Sequence, residues 1–409
     1  MKLGKKFWIA MLIFGLMGQV AWVVENMYFN VFIYKMFNAS ANDISVMVMA
    51  SAVTAALTTI VMGTLSDKLG KRKAFMSFGY IIWGISIITF AYIKSVTLTI
   101  IMDCVMTFFG STANDAAYNA WLTDKGDNTN RGKIEGINSM MPLISILIVF
   151  GGFMSFNLDQ HSSWVMIYYI IGILTTIIGI IGLFIIEDEK SLKKEDLNFF
   201  DTLIYSFRPS TISQNKTLYV TLIAFAIFGI SIQVFMPYLI IYYEKTLALS
   251  NYVLVMAPAI IVAAIITALY GKVYDSKGFN VSIIFPLSSL IVGYILLYIF
   301  TNIVLVFVGS LLMMSGYLCG MSIFGARIRD LIPENKAGQF QGVRIIGQVF
   351  IPGVIGPSIG SAVLKNAQMI LNSDGTYSFL PNSNIFLASM IVIVVLAIFL
   401  YFINRKKAA

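Results

Sequence analysis

The stretch Gly63-Thr-Leu-Ser-Asp67-Lys-Leu-Gly70-Lys71-Arg72-Lys73 is a glycine-rich, charged turn between two long apolar segments. A weaker copy follows 208 positions later as Gly271-Lys-Val-Tyr-Asp275-Ser-Lys-Gly278, with the glycines and the aspartate at the same relative places. A second loop repeats at an offset of 206, pairing Ala120, Asp124, Gly132 and Gly136 with Ala326, Asp330, Gly338 and Gly342. Two loops that repeat at nearly the same offset predict a duplicated chain.

The composition indicates a membrane protein. Hydrophobic residues make up 58% of the 409 residues and charged residues 12%, whereas soluble proteins average about 25% charged. A spanning helix needs roughly 20 mostly apolar residues. We predict twelve spans, at residues 7–33, 44–65, 75–94, 98–122, 135–157, 163–186, 217–242, 250–270, 281–300, 303–326, 340–364 and 384–403.

The predicted fold is therefore all-α and integral to the membrane. Together with the duplication, it implies two six-helix bundles related as parallel repeats, an arrangement known from transporters. We place the bundles at residues 1–187 and 217–409, joined by a linker over 188–216 that mixes both signs of charge. Apolar residues at helical spacing predict an amphipathic surface helix over 198–207.

The basic residues predict the orientation, because cytoplasmic loops carry an excess of Lys and Arg. With the N-terminus inside, the only ones of the 28 basic residues that lie outside are Lys35, Lys94, Lys245 and Lys365. We expect a multi-pass protein of the cytoplasmic membrane with both termini in the cytoplasm. The net charge of +8 then reflects topology and attraction to anionic membrane lipid, and it does not indicate a nucleic acid partner.

Neither an enzyme site nor a metal site is indicated. Cys104 and Cys319 fall inside predicted spans, where cysteine acts as a small apolar side chain, and the single histidine, His161, falls in an outer loop. The sequence has no phosphate-binding glycine loop and no cysteine–histidine metal spacing. We expect no catalytic residue, no metal and no cofactor.

The first span carries a polar stripe. Steps of four, three, four and four place on one helix face the residues Gly15, Gln19, Trp22, Asn26 and Asn30, with Glu25 beside them. Such side chains cost a few kcal/mol in hydrocarbon, so they normally face a bundle interior or a wet cavity. The stripe is expected to line a cavity. Hydrogen bonding between helices is the alternative, which the carboxylate of Glu25 disfavours.

The fourth span repeats this pattern with Asp103, Thr107, Ser111, Asn114, Asp115, Tyr118 and Asn119. The rise of about 1.5 Å per residue puts Glu25 and Asp103 in the outer half of the membrane and Asp115 in the inner half. Asp103 is near enough to the end of the span to be simply solvated. Buried carboxyl groups can exchange a proton near neutral pH, and they can also accept hydrogen bonds from sugar hydroxyls; both uses fit Glu25.

The second half is poorer in charge at membrane depth. Its candidate polar residues are Gln233, Tyr238, Ser315, Tyr317 and Ser322. We expect the cavity wall to combine both halves, through Gln19, Trp22, Asn26, Asn30, Asn114, Tyr118 and Gln233. The proton and the polar substrate are expected to couple through Glu25, Asp115 and Asp103.

Gly63-x-x-x-Asp67-x-x-Gly70-x-Arg72-Lys73 resembles the signature loop of the major facilitator superfamily. Span count, orientation, linker and repeat extend the likeness over the whole chain. Trp22-Val-Val-Glu25-Asn-Met-Tyr28 and Asn119-Ala-Trp-Leu-Thr-Asp124 resemble the sucrose-transporter-related branch of the glycoside-pentoside-hexuronide cation symporters. The resemblance implies a secondary transporter that works by alternating access, usually as a monomer.

The second span departs from the sodium-coupled members of that group. They carry acidic residues there, whereas this span offers hydroxyl side chains such as Ser45, Ser51 and Thr54. Hard cations prefer several oxygen ligands that include negative charge. We therefore favour the proton as coupling ion.

These observations predict a proton-coupled symporter of a sugar or glycoside that also contacts membrane lipid. The alternatives are a proton-coupled exporter of amphipathic compounds, a lysolipid transporter, and a membrane sensor without transport. The predicted cytoplasmic gate consists of Gly63, Asp67, Gly70, Arg72, Asp124, Arg131, Asp275 and Arg344. Arg344 is expected to meet Asp67, Asp124 or Glu135, or else to extend to the inner surface.

Overall fold

A computed structural model describes residues 4–125, 131–188, 204–249, 251–332, 337–372 and 375–408. Within them, 11 helices are long and apolar enough to cross a membrane by length and composition, and Ile284–Ile299 is a shorter apolar helix. We label these helices α1 to α12 in chain order. They cover Lys5–Phe37, Ala41–Leu69, Arg72–Tyr92, Val96–Lys125, Arg131–Phe153, His161–Ile185, Lys216–Thr246, Val253–Ser282, Ile284–Ile299, Ile303–Leu331, 337–363 and Asn384–Ala408. The predicted all-α membrane fold is confirmed.

The two copies of the glycine-rich turn each contain a glycine with positive φ at the matching place. Gly70 follows α2 with φ 61°, and Gly278 interrupts α8 with φ 69°. This left-handed region suits glycine, which has no Cβ to clash. The N–H of Gly70 donates to the carbonyl of Ser66 at 2.9 Å, closing the last turn of α2. Glycine is thus suited to the backbone at both positions.

The chain divides into two compact units. Unit 1 comprises Met1–Phe37 and Ala50–Ser206, and unit 2 comprises Asn38–Met49 and Phe207–Ala409. In unit 1, α3 and α6 approach closely where both helices carry glycine. A Cβ on Gly172 would lie only 2.6 Å from the carbonyl oxygen of Gly84. Small residues permit this kind of contact between membrane helices. Buried aromatic side chains, including Trp83 and Tyr168, fill the remaining interior of unit 1.

Unit 2 contains a hairpin that the sequence patterns did not predict. Strand β1 (Met369–Leu371) pairs antiparallel with β2 (Tyr377–Phe379), with Ile370 opposite Ser378. The hairpin binds the segment before α2, since the Ser378 hydroxyl donates to Asn38 Oδ1 at 3.0 Å. These strands were part of a predicted loop because three-residue strands leave too little periodicity to detect.

The linker is described only in part. The amphipathic helix predicted over 198–207 lies mostly outside the described residues, which resume at Ile204. A short helix, Pro209–Gln214, follows it and was not predicted. Its proline stands at the first helical position, where the fixed φ and missing N–H are tolerated.

Candidate functional site

Two spanning helices change from α to π geometry at the predicted carboxyl groups. In α1 the π segment is Val24–Phe29, which includes Glu25, and in α4 it is Ser111–Tyr118, which includes Asp115. Such segments are rare within α-helices and frequent at functional sites. The regular α-helical spacing does not hold across them, so residues before and after a π segment do not share the face that this spacing predicts.

Glu25 is held by hydroxyl groups from two neighbouring helices. Its Oε1 accepts hydrogen bonds from Ser51 Oγ of α2 at 2.6 Å and from Thr107 Oγ1 of α4 at 2.9 Å. The residue is 6% exposed. Its second oxygen, Oε2, is buried and has no hydrogen-bond partner among the described residues. One carboxyl oxygen is thus fixed by two hydrogen bonds, and the other is buried without a described partner.

Asp103 lies beside this group. It is 2% exposed, so it is not the solvated aspartate that its position near a span end allowed. Its Oδ1 and the hydroxyl of Tyr168 in α6 are also buried without a hydrogen-bond partner in the described chain. Asp103 interacts electrostatically with both Glu25 and Tyr168. We call Glu25, Ser51, Asp103, Thr107 and Tyr168 the carboxyl cluster.

The carboxyl cluster has no cationic partner in the part of the chain that the structure describes. The ion pairs found there involve other acids, and neither Glu25 nor Asp103 has a further contact of this kind. A buried carboxylate without a counter-charge is costly. The arrangement is therefore suited to binding a small positive ion or a hydroxyl-rich molecule.

Asp115 is separate from the carboxyl cluster in its hydrogen bonding. Its Oδ2 accepts a hydrogen bond from Ser111 Oγ at 2.9 Å, within the same π segment. The side chain is half-buried. It still lies within range of an electrostatic interaction with Glu25.

Two of the predicted cavity residues use their polar groups to join helices. Asn114 Nδ2 donates to the hydroxyl of Tyr80 at 2.8 Å, and that hydroxyl donates to the carbonyl of Phe14 at 2.6 Å. The Tyr118 hydroxyl donates to the carbonyl of Met11 at 2.9 Å. In this arrangement Asn114 and Tyr118 hold α1, α3 and α4 together, and their part in binding stays a prediction.

The polar stripe of α1 is divided by the π segment. Gln19 and Trp22 are half-buried and Asn26 is exposed, whereas Asn30 is fully buried. The Trp22 ring lies 5.1 Å from that of Trp83, centroid to centroid. The indole N–H of Trp22 has no partner among the described residues. Gln19, Trp22 and Asn26 are the stripe residues most open to a ligand.

Unit 2 has its own cavity, of about 180 Å³, between α8 and α10. It is lined by Thr267, Tyr270, Gly271, Tyr274, Asp275, Cys319, Ser322, Ile323, Ala326 and Arg329. Tyr270 and Tyr274 were not predicted as site residues. Tyr270 ends the predicted span eight and Tyr274 follows it at i+4, and this helical spacing was the available signal. Gln233 lies elsewhere in unit 2, packed against Gly356, where an added Cβ would come within 2.4 Å of the Gln233 Cβ.

Three of the residues predicted to form the gate are joined within unit 1 by the ion pairs of Arg72. This buried guanidinium contacts Asp67 Oδ1 through Nη2 at 2.5 Å and Asp124 Oδ2 through Nε at 2.8 Å. Its Nη1 donates to Ser66 Oγ at 2.7 Å. A Cβ added to Gly63 would lie 3.8 Å from the Cβ of Ala116.

The role of the remaining predicted gate residues stays a prediction. Arg131 begins α5, and its side chain, like that of Glu135, lies outside those the structure describes. Asp275 is exposed on α8. Arg344 is half-buried and donates from Nε to Gln348 Oε1 at 3.3 Å. Its expected pairing with acids of the first half stays a prediction.

Comparison with known structures shows the fold. The nucleoside transporter NupG matches with a TM-score of 0.74 and 12% identity, covering 97% of this chain and 98% of its own. A bacterial homolog of the human lysosomal transporter Spinster, inward-facing and occupied, gives 0.76 and 13%, covering 99% and 98%. The xylose transporter XylE from E. coli, partially occluded and inward-open, gives 0.67 and 13%, covering 96% and 97%.

Comparison of sequences shows the family. No curated protein matches this chain significantly. The family model described as Major Facilitator Superfamily, by contrast, matches residues 7–357, which is most of the sequence. Its members and the structural neighbours are transporters rather than enzymes. The chain is a multi-pass membrane protein that belongs to the Major Facilitator Superfamily.

Proposed function

We propose that this protein is a symporter that carries a sugar or glycoside together with a proton across the cytoplasmic membrane by alternating access. The observation that carries the proposal is the buried Glu25, with Oε1 bound by two hydroxyls and Oε2 free of any described partner. The same geometry supports placing the protein in the sucrose-transporter-related branch, whose resemblance includes this glutamate.

The proton is the coupling ion because both charge states of Glu25 find support in the cluster. Hydroxyl groups can rotate to donate or to accept, and those of Ser51 and Thr107 donate to the ionised form. A proton on Oε2 would remove the buried charge that no described cation balances. A site that accommodates both forms can load and release a proton during transport.

The substrate is proposed to be a hydroxyl-rich ring. Trp22 offers an aromatic face, and Gln19 and Asn26 offer carboxamides that both donate and accept. Two structural neighbours are named for xylose and for nucleosides, which both contain a sugar. Gln233 is the proposed contribution of unit 2.

We further propose that residues 1–187 and 217–409 act as the two moving bundles, with both termini in the cytoplasm. The ion pairs of Arg72 with Asp67 and Asp124 would then lie at the inner surface and act as part of the gate. Gly63, Gly70, Arg131, Asp275 and Arg344 complete that gate as proposed members. Asp115 would pass the proton on between Glu25 and this surface.

The test is transport by purified protein in liposomes. A thermal-shift panel of sugars and lysolipids comes first, because a ligand that binds the native state raises the apparent melting temperature. The stabilising sugar is then added outside the vesicles, in a weakly buffered medium that contains a membrane-impermeant pH-sensitive dye. We expect alkalinisation of the outer medium. Extrusion of amphipathic dyes or of a lysolipid, with no response to any sugar, would replace symport by export.

A further inference from the structure

An apolar groove of about 240 Å³ lies between α2, α3 and α4 of unit 1. Its walls are formed largely by Met62, Phe75, Phe78, Ile82, Phe108 and Phe109. The one hydroxyl in its lining, that of Thr112, donates to the carbonyl of Phe108 at 2.7 Å. The groove therefore offers dispersion contacts and no free polar side chain.

The groove opens on a surface of unit 1 where large apolar side chains are exposed. Phe78 is 56% exposed, and Ile82 and Phe108 are each 38% exposed. All three belong to helices that are long and apolar enough to span a membrane. Gly79 lets α3 approach α4 closely here, since a Cβ on it would lie 2.6 Å from that of Ala113. The natural environment of such a surface is hydrocarbon.

The dimensions of the groove fit one acyl chain. Along α3 it extends from Ala74 to Ile82, which is about 12 Å at the helical rise. Half of the hydrocarbon core of a bilayer is about 15 Å. A helix of a second protein is about 10 Å wide with its side chains, too wide for a groove of this volume. A lipid acyl chain matches the groove in both length and width.

Basic residues stand at one end of the groove. Ala74 directly follows Lys71, Arg72 and Lys73. Arg72 is balanced by Asp67 and Asp124, whereas Lys71 and Lys73 form no ion pair with a described residue.

Among the described residues, Asp188 contacts the backbone of Lys73 and not its side chain. Its carboxylate accepts a hydrogen bond from the backbone N–H of Lys73 at 2.7 Å. The side chains of Lys71 and Lys73 are therefore available to bind an anion. A charged side chain at the end of a span lies at the level of the lipid headgroups.

We propose that this groove binds one acyl chain of an anionic phospholipid and that Lys71 and Lys73 bind its phosphate. The site is distinct from the carboxyl cluster and does not depend on the transported substrate. It would place an anionic lipid next to the Asp67–Arg72–Asp124 ion pairs, so that lipid composition could act on the turn that carries them.

Native mass spectrometry of the full-length protein tests the headgroup. Phosphatidylglycerol and phosphatidylcholine with identical acyl chains are titrated separately. We expect a preference for phosphatidylglycerol that falls about 30-fold in Lys71→Gln/Lys73→Gln, since each basic residue at a membrane surface strengthens binding about fivefold. The matched control, Lys272→Gln/Lys277→Gln in the copy of the turn, removes the same charge from exposed positions and should keep the preference.

A second variant tests the groove. Ala74→Phe fills the end nearest the lysines and should reduce retention of both lipids. Equal binding of the two lipids by the unaltered protein, an equal loss in the control pair, or full retention by Ala74→Phe would each overturn the proposal. So would a dimer without bound lipid, which would show that a second copy covers the groove. The lysine variants keep the test decisive if Ala74→Phe does not fold.

Discussion

Unit 1 contains two acidic groups that are built in opposite ways. At the glycine-rich turn, the aspartates Asp67 and Asp124 both contact one cation, Arg72. In the carboxyl cluster, Glu25 has among the described residues only the hydroxyls of Ser51 and Thr107, and Asp103 leaves Oδ1 without a described partner. A paired carboxylate holds one arrangement in place. An unpaired buried one remains available to a proton or a substrate.

The largest effect on transport is expected at Glu25. We expect Glu25→Gln to abolish accumulation of sugar driven by a proton gradient, because an amide cannot exchange a proton. Uptake assays in liposomes measure this, and sugar exchange without a gradient shows whether binding survives. The matched control is Glu187→Gln, whose side chain is 74% exposed. Full accumulation with unchanged pH dependence in Glu25→Gln would remove this residue from the coupling mechanism.

The opposite result is expected at Arg72, where the effect is on stability. Removing one partner of a buried ion pair typically costs about 3–5 kcal/mol, so Arg72→Gln should lower the free energy of unfolding by about 3 kcal/mol. Denaturant titration in detergent measures it. Arg72→Gln/Asp124→Asn should recover part of the loss, and Lys71→Gln at the exposed neighbour should cost little. If Glu25→Gln were as destabilising as Arg72→Gln, the two groups would not differ as described.

A variant of Asp103 sharpens the contrast within the carboxyl cluster. Asp103 is 2% exposed, and its Oδ1 has no hydrogen-bond partner among the described residues. Asp103→Asn keeps the size of the side chain and removes its ability to carry a proton, so it should lower sugar accumulation driven by a proton gradient severalfold and leave sugar exchange without a gradient in place. Glu187→Gln, at a side chain that is 74% exposed, should keep accumulation, and full accumulation in Asp103→Asn would remove Asp103 from the coupling mechanism.

The smallest effect is expected at Asp67, which is 54% exposed and shares Arg72 with Asp124. Asp67→Asn should slow the transport cycle severalfold and leave substrate affinity nearly unchanged, because the residue is proposed to belong to the gate and not to the binding site. Initial uptake rates and ligand-induced thermal shifts separate the two quantities. A large loss of affinity would place Asp67 in the binding site.

Much of this contrast could be predicted from the sequence. Apolar length predicted twelve spans, and among the described residues 11 helices meet the criteria of length and composition, with Ile284–Ile299 as a shorter apolar helix. The offset of the two glycine-rich turns predicted a duplication, and the glycines at matching places, Gly70 and Gly278, both have positive φ. Helical periodicity brought Glu25 and Asp103 to attention, since charged residues at membrane depth are rare. The importance of Ser51 was not predicted, because a hydroxyl in a helix has many local partners and its choice of Glu25 depends on packing.

Other features depend on geometry that periodicity does not contain. The π segments alter the spacing at Glu25 and Asp115, and no residue type marks them. The hydrogen bonds of Asn114 to Tyr80 and of Tyr118 to Met11 require knowledge of which helices are neighbours. The cavity at Tyr270 and Tyr274 was missed because α8 continues beyond the predicted end of its apolar segment.

The π segment of α1 sets the rotational phase between the two parts of one helix. Each residue turns an α-helix by about 100°, and a π segment fits one extra residue into nearly the same rotation because its hydrogen bonds join residues five apart. A one-residue deletion within Val24–Phe29 that restored α geometry would therefore keep the orientation of everything after it, whereas restoring α geometry without the deletion would rotate that part by about 100°. In the second case Lys35, whose side chain is 6% exposed and lies 3.1 Å from Asp159, would be turned away from its partner. Chain length at this point is thus as much a part of the site as the glutamate itself.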